Sequence, residues 1–264
     1  MRKQLSGDFM QTIKKIGIFD SGAGGLTVLK SLIEEIGFEH IIYYGDTARV
    51  PYGNKDTQTI IKFSLEALKF FEHFAIDLLI VACNTASAHA LTAMQQQAQI
   101  PIIGVIESGI NALLQKKIPK DSNILVLATQ ATIASGNYEK HLRQIGYNNV
   151  ISIATNLFVS LVEEHIFEGE IIESTFRHYF HPSLNPQAVI LGCTHFPLLL
   201  QPLRKHFGPS TLFVHSGEAI ARFLQQEFHI TRNNRNFIEF FASDNVAKLK
   251  ATAKEWLRDG SYQS

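Results

Sequence analysis

The sequence predicts an α/β protein of two similar lobes, each a mostly parallel sheet flanked by helices, with its site in the cleft between them. Three observations carry that prediction. Short apolar runs of strand length alternate with longer segments of helical period, the pattern of a parallel sheet covered on both faces. The only two cysteines, Cys83 and Cys193, each follow such a run and precede polar residues and the start of a helical pattern. The run at 124–128, with Thr129 and Gln130 behind it, resembles the first strand and its turn, so the second half starts the pattern again as a weak internal duplication.

In chain order, residues 16–19 read as a buried strand, 20–25 as a turn and 26–36 as a helix with apolar positions 26, 29, 32, 33 and 36 on one face. Residues 41–44 form a second strand, and 45–56, containing Pro51 and two glycines, a loop. Thr57 is placed as the cap of a helix whose Ile60, Ile61, Leu65, Leu68 and Phe71 align. The strand 78–82 delivers Cys83, 85–97 reads as one Ala-rich helix, and 101–105 as a fourth strand. A crossing at 107–117 leads to the second lobe, where strand 124–128 and strand 189–191 take the places of the first and third, the latter delivering Cys193. A late strand at 237–241 and an amphipathic helix at 246–257 have docking positions that periodicity leaves open. Residues 1–12 are set aside as a loose polar extension.

Composition narrows the class of function. At 264 residues and 45% hydrophobic content the chain can bury an ample core. Lys plus Arg and Asp plus Glu balance at 24 each with no like-charge run, so there is no basic stripe for nucleic acid, and a small solute is the expected ligand. Two cysteines make no disulfide framework, and the opening residues lack the apolar core of a secretory signal, which points to the cytoplasm. No apolar run approaches the roughly 20 residues that cross a bilayer, so no membrane partner is expected.

Chemistry follows from the cysteines' positions. A thiol at the head of a helix meets unpaired N–H groups and the positive end of the macrodipole, so both are expected to ionise more easily than a free cysteine near pH ~8.5. Pro197 sits in the first turn after Cys193, Thr194 and His195, where its missing N–H costs nothing. Asp20 and Ser21 at the end of the first strand, and Tyr52 and Gly53 in the loop after the second, would rim the same crevice. They supply an acid for an ammonium and donors for a carboxylate, and Asn84, Thr85 and exposed amides can also hold a carboxylate. That combination fits an α-amino acid. Two thiols facing each other across it can remove the α-proton on one side and supply one on the other.

The blocks FDSGAGGLTVL, YYGDTARVPYG, VACNTASA, GVIESG, LATQATIASGNYEK, NLFVSLVEEHIFEG and VILGCTHFPLL resemble, in order, those of the glutamate racemases of bacterial cell-wall synthesis. The resemblance spans about residues 16–256 and implies a cofactor-independent enzyme that interconverts L- and D-glutamate, with D-glutamate destined for peptidoglycan. It further implies that Cys83 and Cys193 are the two acid/bases and that Asp20, Glu163 and His195 assist them. Asp20 with Ser21, Tyr52 with Gly53, Asn84 with Thr85, and Thr194 with His195 match the family's substrate-binding pairs. It also implies a homodimer, no metal, and a last segment that returns to the first lobe. The lobes are then 14–105 with 222–264, and 106–221. Ser108 stands where many relatives have proline.

Each assignment has a rival reading. A lone cysteine at a strand end is commonly a buried structural residue, and Asp20 could simply cap the following helix. Glu163 has Glu164 beside it, and only the LVEE block selects the first. His195 as a metal ligand lacks a second ligand at the usual spacing. Gly22, Ala23, Gly24 and Gly25 suggest a dinucleotide loop and Asp46 its ribose acid, but Thr27 replaces the third glycine and Asp20 would repel a pyrophosphate. The alternatives in function are a sister activity such as aspartate racemase, against which His195 argues, and an amino-acid binding module or one-cysteine hydrolase, which leaves the second thiol unexplained.

Overall fold

The structure, a computed structural model, describes residues 12–230, 232, 233, 235–257, 262 and 263. All of the N-terminal extension but Thr12 therefore lies outside the described residues; Thr12 bridges to His229. The first half runs β1 (Lys15–Asp20), α1 (Leu26–Glu35), β2 (His40–Gly45), α2 (Thr57–Phe71), β3 (Leu78–Val81), α3 (Asn84–His89), α4 (Leu91–Gln97), β4 (Ile102–Gly104) and α5 (Val105–Gln115). The second runs β5 (Ile124–Ala128), α6 (Gln130–Ala134), α7 (Asn137–Gln144), β6 (Val150–Ala154), α8 (Leu157–Glu163), α9 (Glu170–Tyr179), β7 (Ala188–Gly192), α10 (Leu200–Phe207) and β8 (Leu212–His215). It closes with α11 (Ser216–Glu227), β9 (Asn236–Ala242), α12 (Val246–Trp256) and β10 (Tyr262–Gln263).

Two sheets result, ordered β10-β9-β2-β1-β3-β4 and β6-β5-β7-β8. Every pairing between their strands is parallel. Helices cover both faces, which is why the inner strands read as unbroken apolar runs. In β1 the alternation still sorts side chains: Ile16 and Ile18 join a core with α1, α11 and α12, whereas Phe19 joins a core with α2 and α4. The late strand β9, unplaced by periodicity, pairs with β2 through Tyr43↔Phe240 and its neighbours. Among the described residues no helix is long and apolar enough to cross a membrane.

Four expectations need correction. Asp56, not Thr57, caps α2: its carboxylate accepts the Thr59 N–H at 3.0 Å, and Thr57 is already helical. The single helix expected at 85–97 is two. Ala90 leaves helical angles, and Ser87 donates back to the Val81 carbonyl at 2.8 Å, so α3 and α4 turn about a core containing Ala86, Ala90 and Met94. The fourth strand stops at Gly104, and Val105 opens the crossing helix α5 earlier than expected. A boundary at 222 would cut α11, which is unbroken from Ser216 and packs on both α1 and α5.

Candidate active site

The carboxyl ends of β1, β3, β5 and β7 converge on one crevice, where open parallel sheets place ligands. Asp20 ends β1, Cys83 follows β3 as the N-cap of α3, and Cys193 follows β7 ahead of a one-turn 3-10 helix, Phe196–Leu199. The Cys83 sulfur accepts the Ala86 N–H at 3.5 Å and its thiol donates to Ser21 Oγ at 3.4 Å. The Cys193 sulfur lies 3.9 Å from His195 Nδ1, and His195 Nε2 meets Glu163 Oε1 at 3.2 Å. Glu163, not Glu164, is therefore the carboxylate on the imidazole.

Both thiols line one cavity of about 20 Å³, together with Ser21, Tyr52, Gly53, Asn84, Thr85, Thr194 and His195. Asp20 and Glu163 are absent from that lining and act on it from behind. Asp20, fully buried, accepts the Gly22 N–H at 2.9 Å and the Thr194 hydroxyl at 3.3 Å, so its carboxylate ties β1 to the second sheet's loop; α1 itself has no side-chain cap. The cavity has room for roughly one water, so a five-carbon amino acid enters only if the lobes part.

Closure is tight because glycine backbones are used where the lobes touch. A Cβ on Gly24 would overlap Thr194 Oγ1 and lie 2.6 Å from His195 Nδ1, and one on Gly53 would lie 2.5 Å from Thr129 Cβ. The GAGG turn thus serves contact with the second lobe. Hydroxyls complete the seam: Thr27 donates to the Thr194 carbonyl at 2.7 Å, and Thr85 meets Thr129 at 2.9 Å and Thr132 at 3.1 Å.

Tyr52 departs from expectation. Its hydroxyl donates to Asp46, a fully buried carboxylate that also holds Arg49 Nε at 2.7 Å, so the phenol is not a free donor to a ligand and the loop offers its backbone instead. Thr129 lines the cavity and was missed. The duplication held the signal, since Thr129 follows the fifth strand where Asp20 ends the first.

Electrostatics overturn one expectation outright. Burial, reinforced by the Asp20 charge, pushes the Cys83 thiol up to about 12, and hydrogen bonds from Ser21 and Ala86 only partly offset it. One N–H···S contact at the head of a six-residue helix is too little to compensate lost hydration. Burial also raises Asp20, opposed by the His195 charge. For His195 burial acts downward, but contacts with Cys193 and Glu163 win and lift it to about 10. The His195 hydrogen bond holds Glu163 below the usual carboxylate range, against the effect of burial.

His195 makes stability fall with alkali. The folded chain keeps its imidazolium up to about pH 10, whereas the unfolded chain releases that proton near 6.5. The contribution is whole below 6.5 and is lost as pH rises through 10. Thermal melts across that window are expected to show a declining Tm, and a shallower decline in Glu163→Gln; a flat parent profile refutes this.

The Asp/Glu/Hydantoin racemase family matches residues 16–224. A glutamate racemase of a Nitratiruptor species is 54% identical over 93% of this chain and 97% of its own. The crystal structure of glutamate racemase from Campylobacter jejuni subsp. jejuni superposes with a TM-score of 0.91 at 54% identity, covering 93% of this chain and 98% of that one. That of the Francisella tularensis enzyme in complex with D-glutamate does so with a TM-score of 0.80 at 34% identity, covering 95% of each. With the family matched over most of its length, and relatives of this identity aligned end to end, the chain belongs to the Asp/Glu/Hydantoin racemase family.

Proposed function

We propose that this chain interconverts L- and D-glutamate without a cofactor, by two-base proton transfer at the α-carbon. The observation that carries the reading is the pair of thiols on one buried crevice, each delivered by the end of a parallel strand in a different sheet. Close relatives named glutamate racemase, one of them solved with D-glutamate, support the substrate.

Racemisation needs one group to accept a proton while another gives one. The resting enzyme is already asymmetric. Cys83, raised by burial, carries its proton at neutral pH and is the donor; Cys193, with His195 and Glu163 behind it, is the acceptor. His195 takes up or returns the Cys193 proton, and Glu163 fixes its ring orientation. After one turnover the roles are exchanged, which is the state that the mirror-image substrate needs. Asp20 faces the ammonium, the amides of the Ser21, Thr85 and Thr194 segments take the α-carboxylate, and the Tyr52–Gly53 backbone with Thr129 takes the distal carboxylate. Asp46 holds that loop in place.

The lobes, 14–105 with 222–264 and 106–221, part to admit substrate and close over it. A homodimer acting in the cytoplasm to supply D-glutamate for peptidoglycan completes the reading. The test is circular dichroism of L-glutamate with pure protein and no added cofactor. The signal is expected to decay to zero with glutamate and to persist with L-aspartate; an unchanged glutamate signal refutes the proposal.

A further inference from the structure

Asn84 opens α3 in the first lobe and is buried beside both thiols. Its Nδ2 donates to Tyr138 Oη at 2.8 Å and to Ser216 Oγ at 3.2 Å, which uses both amide hydrogens. Its Oδ1 is buried without a hydrogen-bond partner. A carboxamide whose N–H groups are both engaged presents only an acceptor to the cavity. A buried acceptor left unpaired is unfavourable until a ligand pairs with it. Of glutamate's three charged groups only the ammonium donates hydrogen bonds, so this oxygen suits the ammonium and repels both carboxylates.

We infer that Tyr138 and Ser216 are positioning residues that turn the Asn84 carbonyl, in place of its NH2 group, toward the substrate's ammonium, and that they do so only when the lobes are closed. The inference rests on the glutamate reading above, and it moves Asn84 from the carboxylate side of the site to the ammonium side, next to Asp20. Tyr138 stands on α7 and Ser216 at the head of α11, both beyond the crossing helix, while Asn84 belongs to the first lobe. Opening the crevice withdraws both partners and frees the amide to rotate; closing it completes the ammonium contact. Tyr138 is suited to this by its setting. Its ring is packed in a core with Ile106, Ile110 and Leu142, and burial keeps its phenol protonated well above the ordinary range.

The test uses Tyr138→Phe and Ser216→Ala, each of which removes one oxygen and keeps the buried shape. Each is expected to raise KM for glutamate about tenfold with kcat within about twofold of the parent, as loss of orientation at one charge-assisted hydrogen bond requires. Placed in an Asn84→Ala background, Tyr138→Phe is expected to have no further effect on KM, because its route to the substrate is gone. An unchanged KM in both single variants, a fall in kcat with KM intact, or the same fold-change with and without Asn84 overturns the inference. The parent assayed alongside separates the two levels: turnover there with unaffected variants sinks this inference alone, and no turnover in the parent sinks the glutamate reading with it.

Discussion

Replacing either Cys83 or Cys193 by serine is expected to lower racemisation in both directions by about 10³-fold or more while glutamate still binds. Serine keeps the size of the side chain but not a proton that can be exchanged with a carbon acid. One remaining thiol can remove an α-proton and return it to the same face, but cannot invert the centre. Each variant is therefore expected to wash solvent deuterium into one enantiomer without converting it, and the two variants into opposite enantiomers. In the parent, early deuterium is expected chiefly in the newly formed enantiomer. Polarimetry with NMR of the α-position reads both quantities, and calorimetric titration reads binding. Turnover within tenfold of the parent in either serine variant, or exchange into the same enantiomer in both, contradicts the two-base reading.

Gly24→Ala is expected to reduce kcat/KM by about 100-fold with little change in Tm, the scale of loss that follows from roughly ångström misplacement of reacting groups. The added methyl meets Thr194 Oγ1 and His195 Nδ1, which stand on the second lobe's catalytic loop. Either those two side chains are displaced from Cys193 and Asp20, or the lobes stop short of contact. The backbone at Gly24 is not left-handed, so an alanine there adds no backbone strain, and any loss reports on closure. A cleft held open also exposes the thiols, so alkylation by iodoacetamide is expected to be faster than in the parent. Parent-like kcat/KM or slower alkylation contradicts this account of the seam.

Much of the fold was legible because it is local. Ile16, Ile18 and Phe19 read as a strand, and Leu26, Leu29 and Ile33 as one helical face, since a periodicity of side chains is a property of neighbours in sequence. The errors arose where a side chain chose between nearby partners. Asp56 reaches the amide that Thr57 was expected to serve, and Ser87 bonds back to Val81 and ends what read as a continuous helix. The choice of Glu163 over Glu164 is of the same kind, since both lie at the end of α8 and only the first reaches an imidazole from β7's loop.

From the sequence alone came the alternation that makes two parallel sheets, the thiols at matching strand ends, and the set of polar residues around them, because each depends on short-range pattern or on the ordered blocks. Only the tertiary structure decided what those groups can do. Burial, which requires the whole fold, sets Cys83 as a protonated thiol when its helix position alone argued the reverse. Contacts between residues far apart in the chain link Asp20 to Thr194 and turn the Asn84 amide, and the folded loop commits the Tyr52 hydroxyl to Asp46. Protonation and hydrogen-bond direction are set by the local dielectric and by the nearest partner, and neither exists until the two lobes meet.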